Sequence, residues 1–406
     1  MLRRGRRVHK QTVRDIPVRG QRVLVRADFN VPLLNGVISD DRRLRASLPT
    51  INYLREQGAR IICCSHLGRP KGRDEEFSLR PIAARLSELL GQPVSLAPNC
   101  VGPEVERLAA GLKPGEVLLL ENLRFHAEET ANDPAFARQL AALADVYVDD
   151  AFGSAHRAHA SVVGVAEHLP AVAGFLLEKE VRILSEAIEN PQQPFVVLLG
   201  GAKIADKLPL IEHLLPRCDA VLIGGGMAYT FLKAKGMEVG KSLMDPQNID
   251  YCARLLELAA EAGRPLELPV DVVVTTDLRA DAERRIVPVT EIPPGWMGAD
   301  IGPATREFFE TYISGASQVI WNGPMGVFEI LALAEGTLAM AKALAACRGT
   351  TIVGGGDSAA AVEQLGYADR VTHVSTGGGA TLEMLSGKVL PGVAVLRDAE
   401  PAAAAR

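Results

Sequence analysis

Four times between residues 196 and 379 an apolar run stops on a cluster of glycines. The runs read VVLLGG (196–201), AVLIGGG (220–226), TIVGGG (351–356) and HVSTGGG (373–379), and each leads into a segment of helical character. Glycine at a strand-to-helix turn lets backbone N–H groups approach an anion, and the helix that follows presents a positive N-terminus. One such turn could be a tight turn with no ligand. Four of them place phosphate-accepting loops along one edge of one sheet, where open α/β sheets bind their ligands.

The first half of the chain ends its strands on different chemistry. VLVR runs into Ala27, Asp28, Phe29 and Asn30, and IICCS into His66, Leu67, Gly68 and Arg69. VLLLEN runs into Leu123 and Arg124, and VYVDDAFGSA into His156, Arg157 and His159. Strand ends of a parallel sheet converge, and guanidinium groups bind phosphate or carboxylate bidentately, so this side predicts a pocket for a small polyanion. Arg69 and Arg124, just beyond apolar strands, are expected in that pocket. Arg42 and Arg45 read as solvated surface charges.

These residues need a scaffold, and the pattern between them supplies it. Short apolar runs at 22–26, 60–65, 116–120 and 145–148 alternate with helical stretches around 43–57, 81–90 and 134–143. Buried runs alternating with helices indicate a parallel α/β sheet. Near the middle, EKEVRILSEAIE (178–189) has apolar residues at helical spacing, and Asn190, Pro191 and Pro194 stop it. A helix there reads as a connector between two α/β lobes.

Bulk properties narrow the class. The chain has 406 residues and a net charge of −5, enough for two or three domains and too balanced to imply nucleic acid or a membrane. No apolar run approaches the ~18 residues of a membrane span. The six cysteines form no C-x-x-C pair or zinc spacing, which suits a reducing cytosol with cysteines as small core residues. Arg3, Arg4, Arg6, Arg7 and Lys10 lack the apolar core of a secretory signal. They read as a frayed tail or an early start rather than a transit peptide or a nucleic-acid arm. The Ala-rich end, 401–406, is expected to be disordered.

Three local patterns mislead. GGGDSA (354–359) resembles a dinucleotide turn but lacks the acidic residue about 20 positions on. GMEVGKS (236–242) resembles a phosphate loop but is one residue short between its glycines and follows a helix, so Lys241 is expected on the surface. His156 and His159 could pair on a metal, but no third ligand is evident.

Taken in order, RADFNVP, SHLGRP, ENLRF, DDAFGSAHRAHAS, LGGAKIADK, IGGGMAYTFL, WMGADIGP, WNGPMGVFE, GGGDS and HVSTGGGATLEMLSGKVLPGV resemble the phosphoglycerate kinase family, from about Gln11 to Val393. The resemblance implies two Rossmann-like α/β lobes with parallel sheets joined by a hinge helix. Residues 1–177 would form the phosphoglycerate-binding lobe, 178–190 the hinge helix and 191–386 the nucleotide-binding lobe, with 387–406 returning to the first. It implies reversible phosphoryl transfer between 1,3-bisphosphoglycerate and MgADP, giving 3-phosphoglycerate and MgATP, by in-line transfer in a closed interlobe cleft. The implied enzyme is a cytoplasmic monomer that needs Mg²⁺ and binds neither nucleic acid nor membrane.

By the same resemblance, Asp28 and Asn30 would hold the hydroxyl and carboxyl end of phosphoglycerate. His66, Arg69, Arg124, His156 and Arg157 would surround the phosphate that does not move, and Arg43 would reach the reacting carboxylate. Gly225, Gly226, Gly298 and Pro324 would line an adenine slot, with Glu329 on the ribose. Lys207, Gly355, Gly356 and Ser358 would hold nucleotide phosphates, and Asp357 would engage Mg²⁺. Lys203 and the amides of Gly377, Gly378 and Gly379 would meet the moving phosphoryl group. The chain departs from the family pattern at Ala27, Ala304 and Leu331, none of them a site residue. An oxidoreductase would explain only the glycines, and a nucleotide sensor would have no use for the basic first lobe.

Overall fold

The computed structural model describes residues 10–399. The expectations for the remaining ends, including Arg3, Arg4, Arg6, Arg7 and the Ala-rich segment, lie outside the described residues. The chain divides into two compact units. Unit 1 runs to Ser185 and takes back the segment from Val389; unit 2 is Glu186–Lys388. The predicted connector is the helix Phe175–Glu189, and the division falls within it, at Ser185.

Unit 1 is built on a six-stranded, all-parallel sheet. Its spatial order is Val94–Leu96, Val117–Leu119, Arg60–Cys64, Arg22–Arg26, Val146–Asp149 and Ala171–Ala173. Helices cover it, so its strands are apolar runs rather than alternating ones. Val23, Val25, Ile61, Cys63, Val117, Leu119 and Val148 share one core cluster with Leu44, Ile51 and Leu54 of the helix Arg42–Glu56. Local signals set the helix ends. In Pro134–Ala141, Pro134 opens the helix while Asp133 Oδ1 accepts from the amides of Ala135 and Phe136.

The four strands whose ends carry Asp, Asn, His and Arg are the four central neighbours of this sheet; the two without them are its edges. That adjacency gathers residues 28–30, 66–69, 124 and 156–157 at one end. Val94–Leu96 and Ala171–Ala173, three residues each, escape the sequence pattern. Lys10 does not fray: it donates to the Leu396 carbonyl at 2.8 Å and pairs with Asp398 at 2.7 Å.

Unit 2 has a second six-stranded parallel sheet. The order is Leu266–Glu267, Ala220–Ile223, Phe195–Leu199, Gln318–Asn322, Thr350–Gly354 and His373–Val374. In chain order this is 3-2-1-4-5-6, with the switch of direction between Phe195–Leu199 and Gln318–Asn322. Each of the four predicted glycine turns follows a strand of this sheet and precedes a helix. The β–α rhythm expected through the whole second half breaks once. Asp271–Thr275 pairs antiparallel with both Arg284–Pro288 and Met297–Ile301 in a separate three-stranded sheet.

Candidate functional site

In unit 1 the strand Arg22–Arg26 leads into Asp28, only 7% exposed. Arg43, from the first turn of Arg42–Glu56, places Nη1 3.1 Å from both Asp28 carboxylate oxygens and donates to the Asn30 carbonyl at 3.0 Å. Asn30 Oδ1 accepts from the Gly68 amide at 2.8 Å, and Arg124 donates to the Gly68 carbonyl at 2.6 Å. Gly68 thus ties Asp28, Asn30 and Arg43 to Arg124. It has φ +62°, and a Cβ there would lie 2.3 Å from the Phe77 ring. Asn122 fixes the neighbouring turns by accepting from the amides of Leu67 and Arg124 and donating to the Leu67 carbonyl.

Beside this group lies a cavity of about 330 Å³, lined by Arg69, Arg124 and Arg157 together with Lys71, His126 and Thr130. Burial, then Arg157, Arg26 and Arg69, push the Arg124 guanidinium down to about 10. Its Nε is buried without a hydrogen-bond partner. An unpaired cationic donor among like charges is costly in an empty site and favourable once an anion enters. Arg157 Nε donates to His156 Nε2 at 3.2 Å. His66, 6% exposed, is held well below its usual range by burial first, then by Arg26, Arg124, Arg43 and His159. Arg42 and Arg45 are surface residues paired with Asp40 and Asp41, as expected.

Unit 2 builds its site from backbone. The amide of Gly200 donates to the Asn322 carbonyl, that of Gly201 to Pro324 and that of Gly225 to Met325. This packing leaves no room for a side chain at Gly200 or Gly225. A Cβ on Gly225, where φ is +62°, would lie 2.4 Å from the Gly201 nitrogen and 2.6 Å from the Pro324 oxygen. Gly298, on the antiparallel sheet, abuts Tyr229: a Cβ there would sit 1.8 Å from the phenol oxygen. Gly226 follows Gly225 directly, and Glu329 is exposed in the turn after Pro324.

The residues expected at the phosphates follow the strands Phe195–Leu199, Thr350–Gly354 and His373–Val374 of this sheet. Lys207 precedes Leu208–Leu214, is 8% exposed, and brings Nζ within 3.4 Å of where a Gly201 Cβ would lie. Its ammonium is lowered by burial foremost and by Lys203, against Asp206 and Asp357. Lys203 itself is exposed. Gly355, at φ +93°, precedes the helix Gly356–Gln364, whose first turn holds the exposed Asp357. Ser358 Oγ is committed locally: it accepts from the Gly323 amide at 3.1 Å and donates to the Gly354 carbonyl. Gly377 gives its amide to Ser375 Oγ at 3.2 Å, and Gly378 follows at φ +44°.

Sequence reasoning missed several residues. Lys71, His126 and Thr130 line the unit 1 cavity; Lys71, two places beyond Arg69, was within reach of the strand-end argument. Asn322 ends the strand at the switch point, and its Nδ2 is buried without a partner, 3.1 Å from where a Gly355 Cβ would lie. Its signal was a strand ending on NGP instead of a glycine triplet. Arg26 and Glu129, both buried, gave no local sign. Lys241 is exposed, as its decoy status requires.

The family model described as phosphoglycerate kinase matches residues 13–388. The phosphoglycerate kinase of Moorella thermoacetica is 57% identical over 390 residues, covering 96% of this chain and 99% of the relative. That of Roseiflexus castenholzii is 58% identical over 393 residues, covering 96% and 100%. The solved structure of phosphoglycerate kinase from Coxiella burnetii superposes with a TM-score of 0.84 at 40% identity, covering 95% of this chain and 98% of that one. The chain belongs to the phosphoglycerate kinase family.

Proposed function

We propose that unit 1 holds the phosphoglycerate and unit 2 the nucleotide in the reaction of this family, reversible phosphoryl transfer between 1,3-bisphosphoglycerate and ADP giving 3-phosphoglycerate and ATP. The observation that carries the division is the contrast in construction. One unit offers clustered guanidinium groups around a cavity of about 330 Å³; the other offers glycine turns at the switch point of a 3-2-1-4-5-6 sheet. A small, highly charged acid suits the first. A nucleotide, whose phosphates need close backbone approach, suits the second.

In this reading Arg69, Arg124, Arg157, His66 and His156 hold the phosphate that does not react. Asp28 and Asn30 take the hydroxyl and carboxyl end. Arg43 spends Nη1 on Asp28 and Asn30, which leaves Nη2 and Nε for the reacting carboxylate. Gly225, Gly226, Gly298 and Pro324 receive the adenine, and Glu329 the ribose hydroxyls. Lys207, Asn322, Gly355, Gly356 and the Ser358 backbone hold the nucleotide phosphates. Lys203, Gly378 and Gly379 meet the transferring group, with Gly377 shaping their turn. The acceptor is a carboxylate, ionised at neutral pH, so no general base is needed, and the protein's work is positioning and charge neutralisation. Transfer is in line, and the acyl phosphate must be kept from water, which would otherwise hydrolyse it.

Mg²⁺ arrives with the nucleotide. Among the described residues no cluster of three or more His, Cys, Asp or Glu could hold a metal alone. One exposed carboxylate, Asp357, stands beside the glycine turn, and a single carboxylate completed by phosphate oxygens is the donor set Mg²⁺ favours. Asp357 would hold the ion, which supplies charge neutralisation at the phosphates.

From the family we infer a cytoplasmic monomer, and five of its six free cysteines are buried as small core residues, which suits a reducing compartment. Among the described residues no helix is long and apolar enough to cross a membrane. A coupled assay with 3-phosphoglycerate and MgATP tests the function. ADP formation that depends on 3-phosphoglycerate is expected; turnover without it, or none with both, would refute the assignment.

A further inference from the structure

Arg26 ends the central strand of unit 1, and its side chain is enclosed, 1% exposed. A guanidinium carries five donors and no acceptor. Nε donates to Ser161 Oγ at 2.9 Å, Nη1 to the Ala27 carbonyl, and Nη2 to Ser154 Oγ at 3.3 Å. Nη2 also lies 3.1 Å from His66 Nδ1. Behind Ser161 stands a buried acid: the Ser161 hydroxyl donates to Glu129 Oε1 at 2.7 Å and its amide to Oε2 at 2.9 Å. Burial works against the Glu129 charge, but His159, Arg26 and Ser161 hold it below the usual range, so it stays ionised and balances Arg26.

The consequence falls on His66. A group that only donates can meet Nδ1 only if Nδ1 carries a lone pair. The proton of the neutral ring must then sit on Nε2, which makes no hydrogen bond to any described residue. Had a carboxylate stood in place of Arg26, Nδ1 would carry a proton and the ring would be drawn toward its charged form. We propose that Arg26, held by Glu129 through Ser161, is a positioning residue that locks His66 in the Nε2–H tautomer, making it a neutral donor to the non-reacting phosphate of phosphoglycerate. The proposal rests on the assignment of the unit 1 pocket given above. Its logic is one of economy in a crowded site: the ring adds a donor beside Arg43 and Arg124 without adding another positive charge.

Long-range ¹H–¹⁵N correlation on the ¹⁵N-labelled full chain at neutral pH reads the tautomer directly, with His66→Gln assigning the signal among eight histidines. The expected pattern is an unprotonated Nδ1 and a protonated Nε2 in the free protein, with the Nε2 signal moving when 3-phosphoglycerate is added. A protonated Nδ1, or a doubly protonated ring, would overturn the lock. Because the spectrum is taken on the unaltered protein, the test survives if Arg26 variants fail to fold. Where Arg26→Gln folds, both tautomers should appear and KM for 3-phosphoglycerate should rise with kcat little changed. His66→Leu should raise that KM by about 10-fold, the loss of one hydrogen bond to a charged partner, and His66→Gln, which keeps an N–H donor, by clearly less. Equal rises in the two variants would overturn the donor role. A fixed Nε2–H ring whose signals ignore saturating 3-phosphoglycerate would overturn the pocket assignment, and with it that role, while leaving the lock standing.

Discussion

In the proposed reading unit 1 meets its anion with clustered side chains, whereas unit 2 cradles its own chiefly with backbone turns. In unit 1, Arg69, Arg124 and Arg157 share one cavity, and burial foremost, then repulsion from Arg157, Arg26 and Arg69, lowers Arg124. In unit 2, Gly200, Gly225 and Gly323 lie so close to neighbouring turns that an added Cβ would strike main-chain atoms. The first design spreads binding over several charges, each replaceable at a partial cost. The second concentrates it in a shape that tolerates no addition. Side-chain sites should therefore degrade by degrees and backbone sites at one step.

The sharpest break is in unit 2. Gly225→Ala forces a side chain at φ +62° into backbone 2.4 Å away. Backbone strain and overpacking, each of order 1–3 kcal/mol, together predict a loss of ADP affinity of roughly 10³-fold. Calorimetry on one preparation should show that loss with 3-phosphoglycerate binding retained; normal ADP binding would end the idea of an intolerant cradle.

Next is Arg43→Ala, expected to lower kcat by about 10²–10³ because this guanidinium meets the reacting end. A raised KM with normal kcat would move Arg43 to the static half of the pocket. Lys203→Ala should cut kcat by roughly two orders of magnitude while ADP affinity stays within a few-fold, the mark of an interaction made mainly in the transition state. Turnover lost only in proportion to ADP binding would return Lys203 to the ground-state phosphate site. The mildest effects belong to Arg69→Ala and Arg124→Ala: KM for 3-phosphoglycerate up by about 10-fold each, kcat within a few-fold. A collapse of kcat in either would erase the graded behaviour that separates unit 1 from unit 2.

What could be read from the sequence follows the same contrast. The glycine turns were legible because an apolar run and the glycines that end it are local events, and the central strands of both sheets are such runs. The clustering of Asp28, His66, Arg124 and Arg157 was legible from strand ends, though their adjacency depends on a strand order the sequence does not print. The antiparallel sheet was not legible. Arg284–Pro288 is largely exposed and exists as a strand through its pairing with Asp271–Thr275. Ala171–Ala173 is too short to show a period. Arg26 reads as the charged end of a strand and Glu129 as a solvated helix residue; only tertiary packing buries them. Asn322 had only the NGP at its strand end as a signal, and its unpartnered amide emerges only from the fold.

The return of the chain to unit 1 bears on how the protein is made. Arg397 donates its amide to Ala171 and its carbonyl accepts from Gln11, while Gly392 donates to Ala155. The edge of the first sheet is therefore finished by residues translated after all of unit 2, which is one unbroken stretch from Glu186 to Lys388. Domains commonly complete themselves in the order of synthesis. Here that order is reversed: on the ribosome unit 2 has its whole sequence before unit 1 does, and unit 1 waits for the segment from Val389, which follows all of unit 2, to emerge.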